Sequence, residues 1–141
     1  GFEGSDGAAC SGCMVGTFKE VNGSGTCSQC AAGTYQHMTA ASACLGCPSN
    51  TTSLTGSDEI TDCICKIGFE GSDGAACSGC MVGTFKEVNG SGTCSQCAAG
   101  TYQHMTAASA CLGCPSNTTS LTGSDEITDC ICKIGFEGSD G

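Results

Sequence analysis

The sequence predicts a small disulfide-rich fold, mostly loop with short antiparallel β-hairpins and almost no helix, extended as an elongated rod of tandem repeats. Sixteen of the 141 residues are cysteine, as is typical of secreted disulfide scaffolds. Residues 1–67 recur without change as residues 68–134. No stretch has a sustained apolar stripe of helical period, whereas Gly, Ser, Thr, Asn and Asp interrupt the chain every few residues.

The repetition predicts the domain organisation. We expect a cysteine-rich repeat at residues 1–67, an identical repeat at 68–134, and the start of a third at 135–141, where the opening GFEGSDG recurs. Because the copies are identical, we expect them to share one role. The third start predicts that the chain is a segment of a longer array.

Composition limits the core and the partners. Each repeat has only Phe2, Phe18 and Tyr35 as aromatic residues and no Trp, so covalent links must supply much of the stability. No apolar run approaches the length of about 20 residues that a membrane span needs. The net charge of −10, with no arginine, disfavours nucleic acid as a partner.

The cysteines divide each repeat into four loops. The first three loops open with CxxC and the last with CxC. Turn residues bound short stretches of β-forming sequence, so we predict hairpin strands at residues 17–21, at 34–38 and within 64–69.

Three motifs resemble those of a known family. They are CSGCMVGTF from Cys10 to Phe18, CLGCPSN from Cys44 to Asn50, and CICKIGF from Cys63 to Phe69. They resemble the cysteine-rich repeats of ephrin receptors and their relatives, and the last portion is also similar to the second half of an epidermal-growth-factor-like module. The resemblance implies an extracellular, disulfide-stapled, rod-forming β module.

The same resemblance implies that the second cysteine of each CxxC or CxC motif bonds to the first cysteine of the next motif. An alternative, Cys10–Cys27, Cys13–Cys30, Cys44–Cys63 and Cys47–Cys65, closes each repeat on itself, and the sequence leaves both open. In the implied ladder, Cys10 and Cys132 are the inter-repeat ends, which pair with neighbouring copies. The implied pairs are Cys13–Cys27, Cys30–Cys44, Cys47–Cys63, Cys65–Cys77, Cys80–Cys94, Cys97–Cys111 and Cys114–Cys130.

Other uses of these residues are disfavoured. Repeated CxxC is also a zinc signal, but glycosylation sequons accompany it here, and no basic neighbours or helix N-terminus favour a redox thiol. Asp58, Glu59 and Asp62 are a calcium alternative, although they precede the wrong cysteine for the epidermal-growth-factor-like motif. His37 is most simply a surface residue. We therefore expect no catalytic residues, no cofactor and no metal.

Two kinds of glycosylation are predicted. The sequon N-x-S/T occurs at Asn22, Asn50, Asn89 and Asn117. Hydroxyl residues are dense after the second sequon of each repeat, where O-linked sugars are predicted. These candidates are Thr51, Thr52, Ser53 and Thr55 in the first repeat, and Thr118, Thr119, Ser120 and Thr122 in the second.

Together these features predict a structural subunit or segment of an extracellular glycosylated fibril or surface appendage. Its expected partners are itself, end to end or as a continuous polymer, and covalently attached glycans. The expected location is secreted or at the cell surface. The alternative function is the stalk of a cell-surface receptor or adhesin. Identity of the copies favours the fibril, since ligand sites normally diverge while mechanical repeats gain from sameness.

Overall fold

The structure is a computed structural model that describes residues 1–139. The chain forms two compact units. Unit 1 comprises Gly1–Cys65 and Ser72–Ala76, and unit 2 comprises Lys66–Gly71 and the chain from Cys77 onward. In the described residues, no helix is long and apolar enough to cross a membrane.

Regular structure is short and repetitive. Helix is confined, in this part of the chain, to single 3₁₀ turns at Ile60–Asp62 and Ile127–Asp129. Within residues 1–139 there are also sixteen strands of two residues each. They are β1 Phe2–Glu3, β2 Ser11–Gly12, β3 Thr17–Phe18, β4 Ser28–Gln29, β5 Thr34–Tyr35, β6 Leu45–Gly46, β7 Thr51–Thr52, β8 Ile64–Cys65, β9 Phe69–Glu70, β10 Ser78–Gly79, β11 Thr84–Phe85, β12 Ser95–Gln96, β13 Thr101–Tyr102, β14 Leu112–Gly113, β15 Thr118–Thr119 and β16 Ile131–Cys132.

Each odd-numbered strand pairs antiparallel with the strand that follows it. At a CxxC motif, the second strand of the pair consists of the two residues between the cysteines. Gln29 therefore faces Thr17, and Ser28 faces Phe18. The CxC motif has one residue fewer between its cysteines, so its strand includes the second cysteine and Thr51 faces Cys65. The predicted fold class, disulfide-rich with short antiparallel strand pairs and almost no helix, is confirmed.

The predicted strands were too long. The strand predicted over residues 17–21 ends at Phe18, because the next amide, that of Lys19, donates to Ala41 O at 3.2 Å. The strand predicted over 34–38 ends at Tyr35 for the same reason, since the amide of Gln36 donates to Ser57 O. In both cases, the residue that follows the strand bonds to a later loop instead of continuing the strand pair.

The third predicted stretch, residues 64–69, is divided between two pairs. Ile64–Cys65 pairs with β7, and Phe69 opens β9, which pairs with β10. Between them the Phe69 amide donates to Lys66 O at 3.0 Å, which closes a turn with Gly68 at φ +81°. This arrangement is that of a type II turn, which glycine at the third position favours.

Where the first strand of a pair begins with threonine, the turn that precedes it is held twice by that threonine. The amide of Thr17 donates to Met14 O at 3.1 Å, and its hydroxyl donates to the same oxygen at 2.7 Å. Thr34 and Thr51 repeat both bonds to the carbonyl three residues earlier. A short side chain that bonds back to its own turn fixes the chain direction without a core.

The residue before this threonine has positive φ. At Gly16, φ is +72°, and an added Cβ would overlap the carbonyl oxygen of Gly56. Asn50 holds the corresponding position in the third loop with φ +63°. Asparagine tolerates this conformation better than most residues, so the backbone at position 50 favours asparagine whether or not the sequon is glycosylated.

The core consists of sulfur. Cystine side chains are the largest that are fully buried, whereas Leu54 is 83% exposed and Met14 71% exposed. Such a unit buries too little apolar surface to be held by the hydrophobic effect alone. The fully buried cysteines are Cys13, Cys30, Cys63, Cys65, Cys80, Cys97 and Cys130.

Candidate functional site: the cystine framework and its exposed loops

The disulfides join the second cysteine of one pair to the first cysteine of the next. Their Cα atoms lie 5.6 to 5.8 Å apart, within the usual range for cystines. Cys65 and Cys77 are also disulfide-bonded. Cys13 is bonded to Cys27 and not, as in the alternative connectivity, to Cys30. The bonds are Cys13–Cys27, Cys30–Cys44, Cys47–Cys63, Cys80–Cys94, Cys97–Cys111 and Cys114–Cys130.

The two predicted inter-repeat ends have different environments. Cys10 is exposed, and its Sγ lies 3.8 Å from Ala8 O. Cys132 is half-buried at the end of β16. Their pairing with neighbouring copies stays a prediction.

The first sequon of unit 1 lies on an exposed loop, residues 22–25, that wraps around a lysine ammonium group. Lys19 Nζ donates to Gly23 O and, at 3.4 Å, to Gly25 O. Asn22 is exposed beside this clamp.

The same loop in unit 2 has additional partners. Lys86 is only 7% exposed, and its Nζ donates to Gly90 O and, at 3.0 Å, to Phe69 O. The side chain of Asn89 accepts a hydrogen bond at Oδ1 from the Ile67 amide at 2.8 Å. The sequon asparagine of unit 2 therefore also fixes the backbone just before β9.

The hydroxyl candidates for O-linked sugars differ in accessibility. Thr51 and Ser53 are each 5% exposed, and Ser120 is 4% exposed. Ser53 Oγ donates to Thr34 O at 2.9 Å and accepts from the Gly33 amide, and Ser120 repeats the donation to Thr101 O. These hydroxyls take part in the fold, whereas Thr55 and Thr122 are exposed.

The acidic residues before Cys63 cap a turn. One oxygen of Asp62, Oδ2, accepts from the amides of Asp58 and Glu59 at 3.0 Å. Asp129 repeats this in unit 2. No group of three or more residues suited to holding a metal ion is found within residues 1–139.

Parts of these loops match a model of a known protein family. A family model described as "Tyrosine-protein kinase ephrin type A/B receptor-like" matches residues 21–63 and 88–130, together more than half of the chain. The chain belongs to the ephrin-receptor-like family. A comparison with curated proteins found no match.

Each match contains two complete disulfide loops of the ephrin-receptor-like repeat. In the first repeat these are Cys30–Cys44 and Cys47–Cys63. Membership together with the cystine framework indicates an extracellular module. The ephrin-receptor-like repeat is a non-catalytic extracellular module. His37, predicted to be a surface residue, is exposed and stacks on Tyr35 with ring centroids 6.1 Å apart.

Sequence reasoning missed the polar side chains that fix the loops, some by bonds within one loop and others by bonds to a neighbouring loop. Gln36 is 3% exposed, and its carboxamide donates to Ala43 O at 2.7 Å and accepts from the Met38 amide at 2.9 Å. Glu3 accepts from the Cys27 amide at Oε2. A signal was present, because Lys19, Gln36 and Ser53 each follow the positive-φ residue of their loop by three positions. Aligning the loops within one repeat would have revealed this common position.

Proposed function

We propose that this chain is a structural segment of an extracellular fibril or surface appendage, built from identical disulfide-stapled repeats. Its principal partner is then itself, in end-to-end association or as a continuous polymer. The single observation that carries the proposal is the residue-for-residue identity of 1–67 and 68–134. Ligand sites on receptor modules normally diverge between copies, whereas a mechanical array gains from equal repeats.

The buried cystines support a mechanical role. Six of the short loops are each closed by their own disulfide, so an array of such loops needs no large core to keep its form. The residues predicted to extend the ladder beyond this chain are Cys10 and Cys132. Neighbouring copies linked through them would make the array covalently continuous.

We further propose that the fibril carries a glycan coat. Its attachment points are the exposed sequon residues Asn22, Asn50, Asn89 and Asn117, with Thr55 and Thr122 as the favoured O-linked positions. Sugars there would cover a spine whose own exposed side chains include apolar ones such as Leu54. A secreted or cell-surface location follows from the same proposal.

Electron microscopy of native, unreduced material tests this function. The expected result is a long filament whose axial period corresponds to one 67-residue repeat, with extra density at Asn22 and Asn50. Short discrete rods on a membrane would contradict the fibril.

The family match favours the second candidate function, the stalk of a receptor or adhesin, because the matching model is named for receptors. Short membrane-attached rods in the same experiment would support this stalk. A ligand would then be sought on domains joined to these repeats.

A further inference from the structure

The loop that carries the first sequon of unit 2 runs from Asn89 to Gly92. The Oδ1 atom of Asn89 accepts a hydrogen bond from the Ile67 amide at 2.8 Å, and Gly92 forms an isolated antiparallel bridge with Gly71. All four residues belong to unit 2. The loop is therefore held at both ends by an earlier segment of the same unit, while Asn89 itself is exposed.

A buried lysine fixes the middle of this loop to the same segment. Lys86 is only 7% exposed, and its Nζ donates to Gly90 O and, at 3.0 Å, to Phe69 O. The residue after Asn89 is thus bonded, through one ammonium group, to a residue of the turn that begins at Lys66. The backbone that carries the sequon and the turn that contains Ile67 therefore form one connected structure.

The contact with Ile67 uses only the oxygen of the Asn89 carboxamide, whereas an N-linked sugar attaches to Nδ2. In the attachment, Nδ2 forms a bond to C1 of a sugar diphosphate, and the C1–O bond breaks with its electron pair on the leaving diphosphate. Nδ2 loses one proton to solvent. The product is a planar secondary amide whose oxygen keeps both lone pairs, so it can accept from the Ile67 amide as before.

The same amide determines the side on which the sugar lies. A secondary amide prefers the trans arrangement, in which the substituent on nitrogen is on the same side of the C–N bond as the oxygen. The first sugar is therefore next to Oδ1, and so beside the turn that Oδ1 contacts. The Ile67 side chain is 45% exposed in this turn and offers an apolar surface to the C–H face of a sugar ring.

We propose that the first sugar of an N-glycan on Asn89 packs on Ile67, while the Ile67 amide keeps its hydrogen bond to Asn89 Oδ1. The inference rests on the glycan coat proposed above and adds that, at this site, the first sugar is part of the folded unit. The turn that contains Ile67 is then a binding surface for the chain's own glycan. Glycosylation at Asn89 stabilises this turn as well as covering it.

Nuclear magnetic resonance of the folded chain tests the contact. The chain is produced in a host that adds N-glycans, and each glycan is trimmed enzymatically to its first sugar. The matched control is Ser91→Ala, which removes only this sequon and leaves Asn89 in place. We expect nuclear Overhauser contacts between a sugar and the Ile67 methyl groups that are absent in the control. Exchange of the Ile67 amide hydrogen should be about fivefold slower than in the control, the effect of covering roughly 40 Å² of apolar surface.

Two further variants separate the hydrogen bond from the packing. Asn89→Ala removes the acceptor, so the Ile67 amide should exchange about five- to tenfold faster than in Ser91→Ala, the bias that one hydrogen bond of ordinary net strength gives. Ile67→Ala keeps the backbone amide but removes the packing surface, so glycosylation should no longer slow exchange at position 67. The control for this variant is Ile134→Ala, at the same position of the second repeat, which should leave the effect of glycosylation on Ile67 unchanged.

Two results would overturn the proposal while leaving the glycan coat in place. One is a glycosylated Asn89 whose sugar makes no contact with Ile67. The other is faster exchange of the Ile67 amide in the glycosylated chain than in Ser91→Ala, which would show that the sugar breaks the hydrogen bond. A chain that gains sugars at its other sequons but none at Asn89, as measured by peptide mass, would instead contradict the coat at this position and remove the inference with it.

Discussion

Cystines and aliphatic side chains have opposite environments in both units. Cys13, Cys30 and Cys63 are fully buried, while Leu54, Met14 and Val21 are 83%, 71% and 68% exposed. In most globular domains the aliphatic residues would occupy the interior. The difference indicates that these units are held by covalent loop closure, by turns and by buried polar links, with little contribution from aliphatic burial.

Removing one disulfide tests the framework most severely. Replacing Cys30 and Cys44 together by serine opens a loop with a sequence separation of 14, and we expect a loss of about 3 kcal/mol in the free energy of unfolding. Denaturant unfolding followed by circular dichroism measures it. The equivalent change at Cys97 and Cys111 should cost the same. A loss below about 1 kcal/mol would mean that the cystine is not a main source of stability.

Crowding a turn should have the next largest effect. In Gly16→Ala the new methyl group meets the Gly56 carbonyl oxygen at a residue of φ +72°, and we expect a loss of roughly 2 kcal/mol in unfolding free energy. Gly33→Ala is the control for backbone strain alone, since φ is +82° there and no atom lies within 4 Å of the added Cβ. Equal losses in the two variants would show that the contact with Gly56 is unimportant.

The sequence was enough to predict the fold class but not the strand lengths. Cysteine density predicted stapled loops, and turn residues around short β-forming stretches predicted hairpin strands; both are present. The strand predicted to reach Val21 stops at Phe18, because the Lys19 amide bonds to Ala41 O, a residue from a later loop. Local β-propensity carries no information about such a partner.

The candidate sites show the same division between local and tertiary information. Sequons and hydroxyl-rich segments are local patterns and could be identified in sequence. The burial of Thr51 and Ser53, and the hydrogen bond from the Ile67 amide to the Asn89 side chain, arise from loops that meet only after folding.

A buried polar link should matter less than a disulfide but more than a surface side chain. Gln36→Ala removes the donor to Ala43 O and the acceptor for the Met38 amide, so we expect a loss of about 1 to 2 kcal/mol. Hydrogen exchange at the Met38 amide should also become faster. His37→Ala, next along the chain and exposed, is the control and should change neither quantity. Unaltered exchange at Met38 in Gln36→Ala would contradict the role given to this carboxamide.

The smallest effect is expected where most proteins would show a large one. Leu54→Ser replaces the most exposed leucine of unit 1, and we expect the free energy of unfolding to change by less than about 0.5 kcal/mol. Leu121→Ser, at the same 83% exposure in unit 2, should behave alike. Thermal unfolding of the two variants beside the unchanged chain is sufficient. A loss comparable to that of Gln36→Ala would mean that Leu54 is covered by something in solution, and the contrast between buried sulfur and exposed leucine would then hold only for the isolated chain.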